Sequence, residues 1–169
     1  MSANYAAVSD EVLAAIDPKL RRLSIVRSCI SCRGSDYIAK LVDLQYLAIT
    51  DTALVDSSLE HLNGMPRLKS LVLDGSTVSD LGAKHLAALK TLRTLSLNNC
   101  RTTGEGLDHL QQLKNVEWLY LNGTEISDAD IMKLKGLPQS MRAVRGSDEL
   151  RIQMAPSGGF AAELLRVAQ

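Results

Sequence analysis

Large aromatic side chains are scarce in this sequence. It contains one tryptophan, one phenylalanine and four tyrosines among 169 residues, and aromatics make up 4% of the chain. A buried core must therefore be built from aliphatic side chains, since hydrophobic residues of all kinds make up 46% of the chain. At this length we expect one domain spanning residues 1–169.

An excess of charge of one sign is also absent. The 19 lysines and arginines balance the 19 aspartates and glutamates. Proteins that bind nucleic acid or an anionic membrane usually carry a basic excess, so we expect neither as a partner. No apolar run approaches the roughly 18 residues of a membrane span.

Cysteine is rare and odd in number. The three cysteines are Cys29, Cys32 and Cys100, and they do not resemble a disulfide framework. The first ten residues lack the basic start and apolar run of a signal peptide. We therefore expect an intracellular, most simply cytoplasmic, monomer.

Leucine recurs at a fixed spacing. The pattern L-x-x-L-x-L occurs five times in steps of 24 residues, and its copies begin at Leu20, Leu44, Leu68, Leu92 and Val116. Each copy ends in apolar alternation, which is the period of a strand. Further apolar columns lie three residues apart, which is the spacing of one helical face. Each unit is therefore predicted to contain a strand, a loop, a short helix and a return loop.

Hydroxyl residues mark the predicted helix starts. Ser79, Thr103 and Ser127 precede the helical columns, where a side-chain oxygen can accept a backbone N–H. Asp130 follows Ser127 by three residues, in a loose version of the capping box.

Over about residues 20–140 this pattern resembles the leucine-rich-repeat family, and within it the helix-bearing, ribonuclease-inhibitor-like branch. The resemblance implies an α/β solenoid of about five repeats: a curved, right-handed arc with a parallel sheet on its concave side and short helices on its convex side. The family often places a buried asparagine after the strand. Here that column is Ser28, Thr52, Ser76, Cys100 and Thr124. We expect these side chains to point inward and bond to loop backbone.

The two ends depart from the repeat, and a stack of repeats needs its ends covered. Residues 1–19 are predicted to be an N-terminal cap with a helix over residues 9–16. Residues 141–169 are predicted to be a C-terminal cap or a partner-binding tail. Within them, Leu150, Ile152 and Met154 alternate as in a strand, whereas Phe160, Leu164 and Val167 suggest a final helix.

Two groups of residues could carry chemistry. His61, His85 and His109 share one column and could form a metal or pH-sensing ladder, but neighbouring helices lie too far apart for their imidazoles to converge readily on one ion. Half-exposed helix residues are the simpler interpretation. Cys29 and Cys32 have C-x-x-C spacing, which is weak evidence for a metal or redox site without further ligands. We expect no enzyme activity, no cofactor and no bound metal.

The outward positions of the strands suggest where a partner would bind. Trp118 and Tyr120 are adjacent outward positions of one strand, and Asn98 and Asn122 lie beside them. Tyrosine, tryptophan and arginine dominate interface energies. Tyr46 and Arg22 stand nearer the N-terminal end.

Alternatives remain open for both the patch and the function. Residues 145–169 could instead fold over Trp118. The favoured function is an adaptor or scaffold that binds a protein; the alternatives are a structural subunit or assembly factor, and a metal or redox protein using Cys29 and Cys32.

Overall fold

The computed structural model describes residues 2–6, 8–133, 142–145, 148–154 and 160–165. Its strands join one nine-stranded sheet in chain order. Pairing is parallel from β1 to β7 and antiparallel from β7 to β9. The strands are β1 (Ser2–Ala6), β2 (Arg22–Val26), β3 (Tyr46–Thr50), β4 (Ser70–Val72), β5 (Thr94–Ser96), β6 (Trp118–Tyr120), β7 (Arg142–Arg145), β8 (Asp148–Met154) and β9 (Phe160–Leu165).

A short helix follows each of the first six strands. The helices are α1 (Asp10–Ala14), α2 (Cys32–Ala39), α3 (Asp56–Glu60) with a 3₁₀ turn (His61–Gly64), α4 (Asp80–Leu86), α5 (Gly104–Leu110) and α6 (Asp128–Lys133). The alternation of parallel strands with helices confirms the predicted α/β solenoid.

The leucine columns build one continuous core. In the strands the middle column is completely or almost completely buried and pairs in register from β2 to β6. It consists of Leu23, Leu47, Leu71, Leu95 and Leu119. A helical column faces it from the other side of each repeat and consists of Leu59, Ala83, Leu107 and Ile131. Because each repeat contacts mainly its neighbours, stability is approximately a sum over adjacent pairs.

A left-handed residue turns the chain after each strand from β2 to β6. Its φ lies between 51° and 68°, and the five positions are Arg27, Asp51, Gly75, Asn99 and Gly123. Glycine at position 75 has a further cause, because a Cβ there would lie 2.3 Å from Asp51 Oδ1. A Cβ on Gly123 would likewise lie 2.2 Å from Asn99 Oδ1. From Asp51 onward, side chains and glycines therefore alternate along this column.

The column of small hydroxyls and one thiol is buried, as predicted. Ser76 Oγ donates to the Ile49 carbonyl at 3.3 Å, and Cys100 Sγ donates to the Leu73 carbonyl at 3.2 Å. The predicted bonds to backbone are confirmed for Ser28, Ser76, Cys100 and Thr124. Thr52 is the exception, because its buried Oγ1 has no partner among the described residues.

The predicted helix caps are confirmed. Ser79 Oγ accepts from the Leu81 N–H at 3.3 Å, and Thr103 Oγ1 accepts in the equivalent place. Ser127 and Asp130 form the full capping box: Asp130 N–H donates to Ser127 Oγ at 3.2 Å, and Ser127 N–H donates to Asp130 Oδ2 at 3.0 Å. The hydroxyl at each of these starts therefore satisfies a backbone N–H that the helix itself leaves without a partner.

An aspartate clasps each of three helix starts to the preceding repeat. Asp80 accepts hydrogen bonds from Thr103 N–H and Oγ1, each at 2.8 Å, and from Gly106 N–H at 2.9 Å. A Cβ on Gly106 would lie 2.3 Å from Asp80 Oδ1, so glycine makes room for the carboxylate. We call this arrangement the inter-repeat clasp. It recurs as Asp56, Ser79 and Gly82, and as Asp10, Ser31 and Gly34.

Two junctions lack this clasp, and in each of them the residues at the aspartate and glycine positions change together. The junction before α3 has Cys32, Val55 and Ser58 in place of aspartate, hydroxyl and glycine, and Cys32 Sγ lies 3.5 Å from Ser58 Oγ. The junction before α6 exchanges the two ends of the clasp: Asp130 comes from the later repeat and packs against Gly104 of the earlier one, where a Cβ would lie 2.9 Å from its Cγ.

The N-terminal end contains a strand that the periodic pattern did not predict. The helix expected over residues 9–16 is present as α1, but β1 precedes it and pairs with β2, with Ser2 opposite Arg22. The step from Ser2 to Arg22 is shorter than the 24-residue step between later repeats. The 24-residue pattern therefore does not include β1.

At the C-terminal end, the predicted final helix is wrong. Residues 160–165 form β9, which pairs antiparallel with β8. The strand expected at Leu150, Ile152 and Met154 is present as β8, and β7 before it was not predicted. The spacing of Phe160 and Leu164 fits a helix, but helix propensity is a weak preference that pairing with a sheet edge overrides. Val167 lies outside the described residues.

Candidate functional site

One face of the sheet carries the outward residues of β2–β6, and we call it the open face. Three columns form it: Arg22, Tyr46, Ser70, Thr94 and Trp118; then Ser24, Ala48, Val72, Ser96 and Tyr120; then Val26, Thr50, Asp74, Asn98 and Asn122. Most of these side chains are half-buried or exposed and alternate with fully buried ones, as predicted from the strand period. Ala48 and Ser96 are buried.

The aromatic pair on β6 is the largest feature of the open face. The Trp118 and Tyr120 rings are stacked, with centroids 6.3 Å apart and planes 11° from parallel. Both residues are half-buried, and their neighbours on β5 are the small Thr94 and Ser96. The two rings therefore form one aromatic platform beside the small side chains of β5.

The described C-terminal strands continue the sheet beside this platform. Trp118 pairs with Arg142 of β7, and β8 and β9 follow beyond it. With strands spaced about 4.8 Å apart, the β9 backbone lies three spacings, or about 14 Å, from β6.

The structure places Asn98 and Asn122 in a polar ladder that crosses the strand ends. The Asp74 carboxylate accepts from Ser96 Oγ at 2.5 Å, from Asn98 N–H at 3.0 Å and from Asn98 Nδ2 at 3.0 Å. Asn98 Oδ1 in turn accepts from Asn122 N–H at 2.8 Å. Sequence reasoning placed Asn98 with the partner contacts, whereas its side chain also joins three strands. Asp74, which accepts three of these four bonds, was not among the predicted site residues.

Arg22 and Tyr46 form a second cluster at the other end of the open face. The Arg22 guanidinium lies over the Tyr46 ring, 4.2 Å from its centroid, in a cation–π contact. Since β3 and β6 are three strand spacings apart, Tyr46 and Trp118 do not meet. The predicted site residues therefore belong to two separate clusters.

A line of mostly charged residues runs along the edge where the strands begin. We call it the strand-start rim; it consists of Arg21, Gln45, Lys69, Arg93 and Glu117. Two open cavities of about 510 and 570 Å³ lie along it. The predicted site did not include this rim, because its residues lie directly before the alternating strand positions, although they share the same 24-residue step.

The three histidines are half-exposed helix residues, in agreement with the simpler interpretation. His61 Nδ1 lies 2.6 Å from Asp36 Oδ1, which already gives that imidazole a partner. In the part of the chain that the structure describes, no group of three histidine, cysteine or acidic side chains could hold a metal ion.

The cysteines differ in accessibility. Cys29 and Cys32 are exposed free thiols near the start of α2, whereas Cys100 is buried in the hydroxyl column. Desolvation by burial raises the pKa of the Cys100 thiol from 9.0 to about 11. An unfolded thiol ionises first, so this shift favours unfolding as the pH rises from 9.0 towards about 11.

We expect alkylation to distinguish these thiols. In the folded protein near neutral pH, iodoacetamide should label Cys29 and Cys32, whereas Cys100 should react only after denaturation, because the thiolate is the reactive form and this thiol is buried. Mass spectrometry of digested samples taken over time measures the three rates. Equal rates for Cys100 and Cys29 in the folded protein would contradict the assigned burial.

Within the described residues, no helix combines the length and apolar character required to cross a membrane.

Comparison with known proteins finds similarity in fold alone. No protein-family model matches the sequence, and no curated protein matches it. An internalin (inlF) from Listeria monocytogenes superposes with a TM-score of 0.52 at 18% identity, over 83% of this chain and 51% of the internalin. Internalin C2 from the same organism gives 0.48 at 18% identity, over 75% and 62% of the two chains.

This chain therefore spans about half the length of the internalin inlF. Internalins are leucine-rich-repeat proteins, and they fit the α/β solenoid described above. In fold, this chain is a leucine-rich-repeat α/β solenoid.

Proposed function

We propose that this protein is an interaction module, an adaptor or scaffold that holds a protein partner on the open face of its sheet. The observation that carries this proposal is the stacked pair of Trp118 and Tyr120 on β6. The only tryptophan of the chain lies on the face of the sheet, while leucine columns build the core.

The physical argument concerns what the two rings offer to a partner. Tryptophan and tyrosine bury large areas with few rotatable bonds and keep a polar group for hydrogen bonding. Trp118 and Tyr120 are already stacked on a rigid strand, so little conformational entropy is lost when a partner covers them. The solenoid supplies the extended surface around them.

Binding rather than catalysis is the function that the side chains support. The histidines lie on the helices, away from the open face, and the described residues of the open face include no histidine and no cysteine. We further propose that the protein is intracellular, because its exposed free thiols suit a reducing compartment. We also propose that it is of the helix-bearing, ribonuclease-inhibitor-like type, because α2, α4 and α5 are helices of seven or eight residues.

The test compares capture of proteins from source-cell lysate by the wild type and by a Trp118→Ala, Tyr120→Ala double variant. Tyr37→Ala, on helix α2, is the matched control, because it also removes a half-buried tyrosine but lies off the open face. All proteins must first show equal thermal melting.

We expect a partner that the wild type and the Tyr37 variant retain and the double variant loses. With that partner purified, the double variant should bind about 1000-fold more weakly, since two central aromatic residues each contribute about 2 kcal/mol. Equal retention by all three proteins would show that the aromatic pair is not the binding site.

A further inference from the structure

The two cavities along the strand-start rim form one groove. They share Gln45 and Lys69, and together they cross the beginnings of strands β2 to β6. Six charged residues line the groove, and five are positive: Arg21, Arg22, Arg67, Lys69 and Arg93, with Glu117 at the far end. We call it the basic groove. It is locally positive in a chain whose net charge is zero.

The backbone holds the rim residues rigidly in line. The Gln45 carbonyl accepts two hydrogen bonds from the next repeat, from Lys69 N–H at 2.9 Å and from Ser70 N–H at 3.0 Å. The Arg21, Lys69 and Arg93 carbonyls accept paired bonds in the same way. Consecutive rim positions therefore follow the strand spacing of about 4.8 Å, so the backbone positions of Lys69 and Arg93 lie side by side.

Only part of this positive charge is neutralised within the protein. Arg93 pairs with Glu117 at 3.0 Å, and Arg67 pairs with Asp43 at 2.5 Å. Arg21 and Lys69 form no ion pair with any described residue, and both are exposed. An anionic ligand would supply the ion-pair partner that Arg21 and Lys69 lack among the described residues.

We propose that the basic groove binds an extended acidic segment of the protein partner. This inference rests on the proposed function and specifies the chemistry of the partner. The groove ends at Glu117, directly before Trp118, so a segment lying in it leads to the aromatic pair. Carboxylates near Arg21, Lys69 and Arg93 would gain charge-assisted hydrogen bonds.

A protein segment fits these observations better than a nucleic acid does. Polynucleotide surfaces draw their affinity from a broad positive field and often from open aromatic platforms. Here the basic cluster lies along one edge of the sheet, and the only aromatic ring lining it, Tyr46, is covered by Arg22.

The test measures binding of a fluorescein-labelled peptide of alternating glutamate and serine by fluorescence anisotropy. A peptide with glutamine in place of glutamate controls for charge, and a single-stranded oligothymidine tests the nucleic-acid alternative. The variant is Lys69→Glu. Its matched control is Lys84→Glu, which changes the net charge equally at an exposed position of helix α4. Melting curves must agree among all proteins.

We expect the glutamate peptide to bind and the glutamine peptide not to bind. Lys69→Glu should weaken binding about tenfold or more, while Lys84→Glu should change it by less than about twofold, and added salt should weaken binding. Equal effects of the two variants, no binding of the glutamate peptide, or tighter Lys69-dependent binding of the oligothymidine would each overturn the proposal.

The two proposals fail in different ways. The Trp118→Ala, Tyr120→Ala variant should still bind the glutamate peptide, because its basic groove is intact. If that variant loses the protein partner while Lys69→Glu retains it at full affinity, the acidic-segment inference is wrong and the aromatic site stands. If Lys69→Glu loses the partner and the double variant does not, the aromatic site is wrong and the acidic-segment inference stands.

Discussion

Replacing Leu95 with alanine is expected to lower the free energy of unfolding by about 3 to 4 kcal/mol. Leu95 is fully buried at the centre of β5 and lies between Leu71 and Leu119 in the strand column. Truncation leaves a cavity that the neighbouring repeats cannot fill, because parallel strand pairing fixes both of them. At this chain length the melting temperature should fall by about 10 °C.

The chain supplies a matched control for this experiment. Leu81 is 66% exposed on helix α4, so Leu81→Ala should change the free energy of unfolding by less than about 0.5 kcal/mol. Urea titrations of both variants measure the difference. A loss of less than about 1 kcal/mol for Leu95→Ala would mean that this leucine is not in a tightly packed core.

Replacing Gly106 with alanine is expected to lower the free energy of unfolding by about 2 to 3 kcal/mol, although alanine is ordinarily the better helix former. The new Cβ would lie 2.3 Å from Asp80 Oδ1 and 2.5 Å from Thr102 Cγ2. The Asp80 carboxylate must then move, and its three hydrogen bonds to the next repeat weaken or break. Thermal and urea unfolding of the purified variant measure the cost.

Gly64→Ala is the control for the clasp, because a Cβ at Gly64 would meet no atom within 4 Å. It should leave stability unchanged or slightly raised. In an Asp80→Ala background, the destabilisation caused by Gly106→Ala should be smaller by about 1 kcal/mol or more, because the contact between the new Cβ and Asp80 Oδ1 is gone. Equal costs in the two backgrounds would show that the carboxylate and the glycine are not coupled.

The leucine spacing was sufficient to predict the strands β2–β6 and the side that each residue faces. A strand has only two faces, so a 24-residue repeat of alternating apolar residues specifies its register and its buried column together. The hydroxyl caps at Ser79, Thr103 and Ser127 could also be predicted, because an N-cap bond is made within a few residues of the chain.

Features that depend on another repeat could not be predicted in this way. The clasp joins Asp80 to Thr103 and Gly106, and its glycine looks unfavourable in a helix until the carboxylate beside it is known. Asn98 is an outward residue of the predicted partner surface, and only the structure shows that its amide also bonds to Asp74 on the preceding repeat. At the end of the chain, pairing with β8 decided that residues 160–165 form a strand.

The same division applies to the candidate site. The sequence by itself determined that Trp118 and Tyr120 lie on one face of one strand, because outward positions alternate along the chain. Only the tertiary structure showed that their rings stack, that Arg22 covers Tyr46 at the other end, and that Arg21, Lys69 and Arg93 line a single groove. The physical reason is that periodicity fixes the direction of each side chain, whereas contacts between charges and rings depend on distances between repeats.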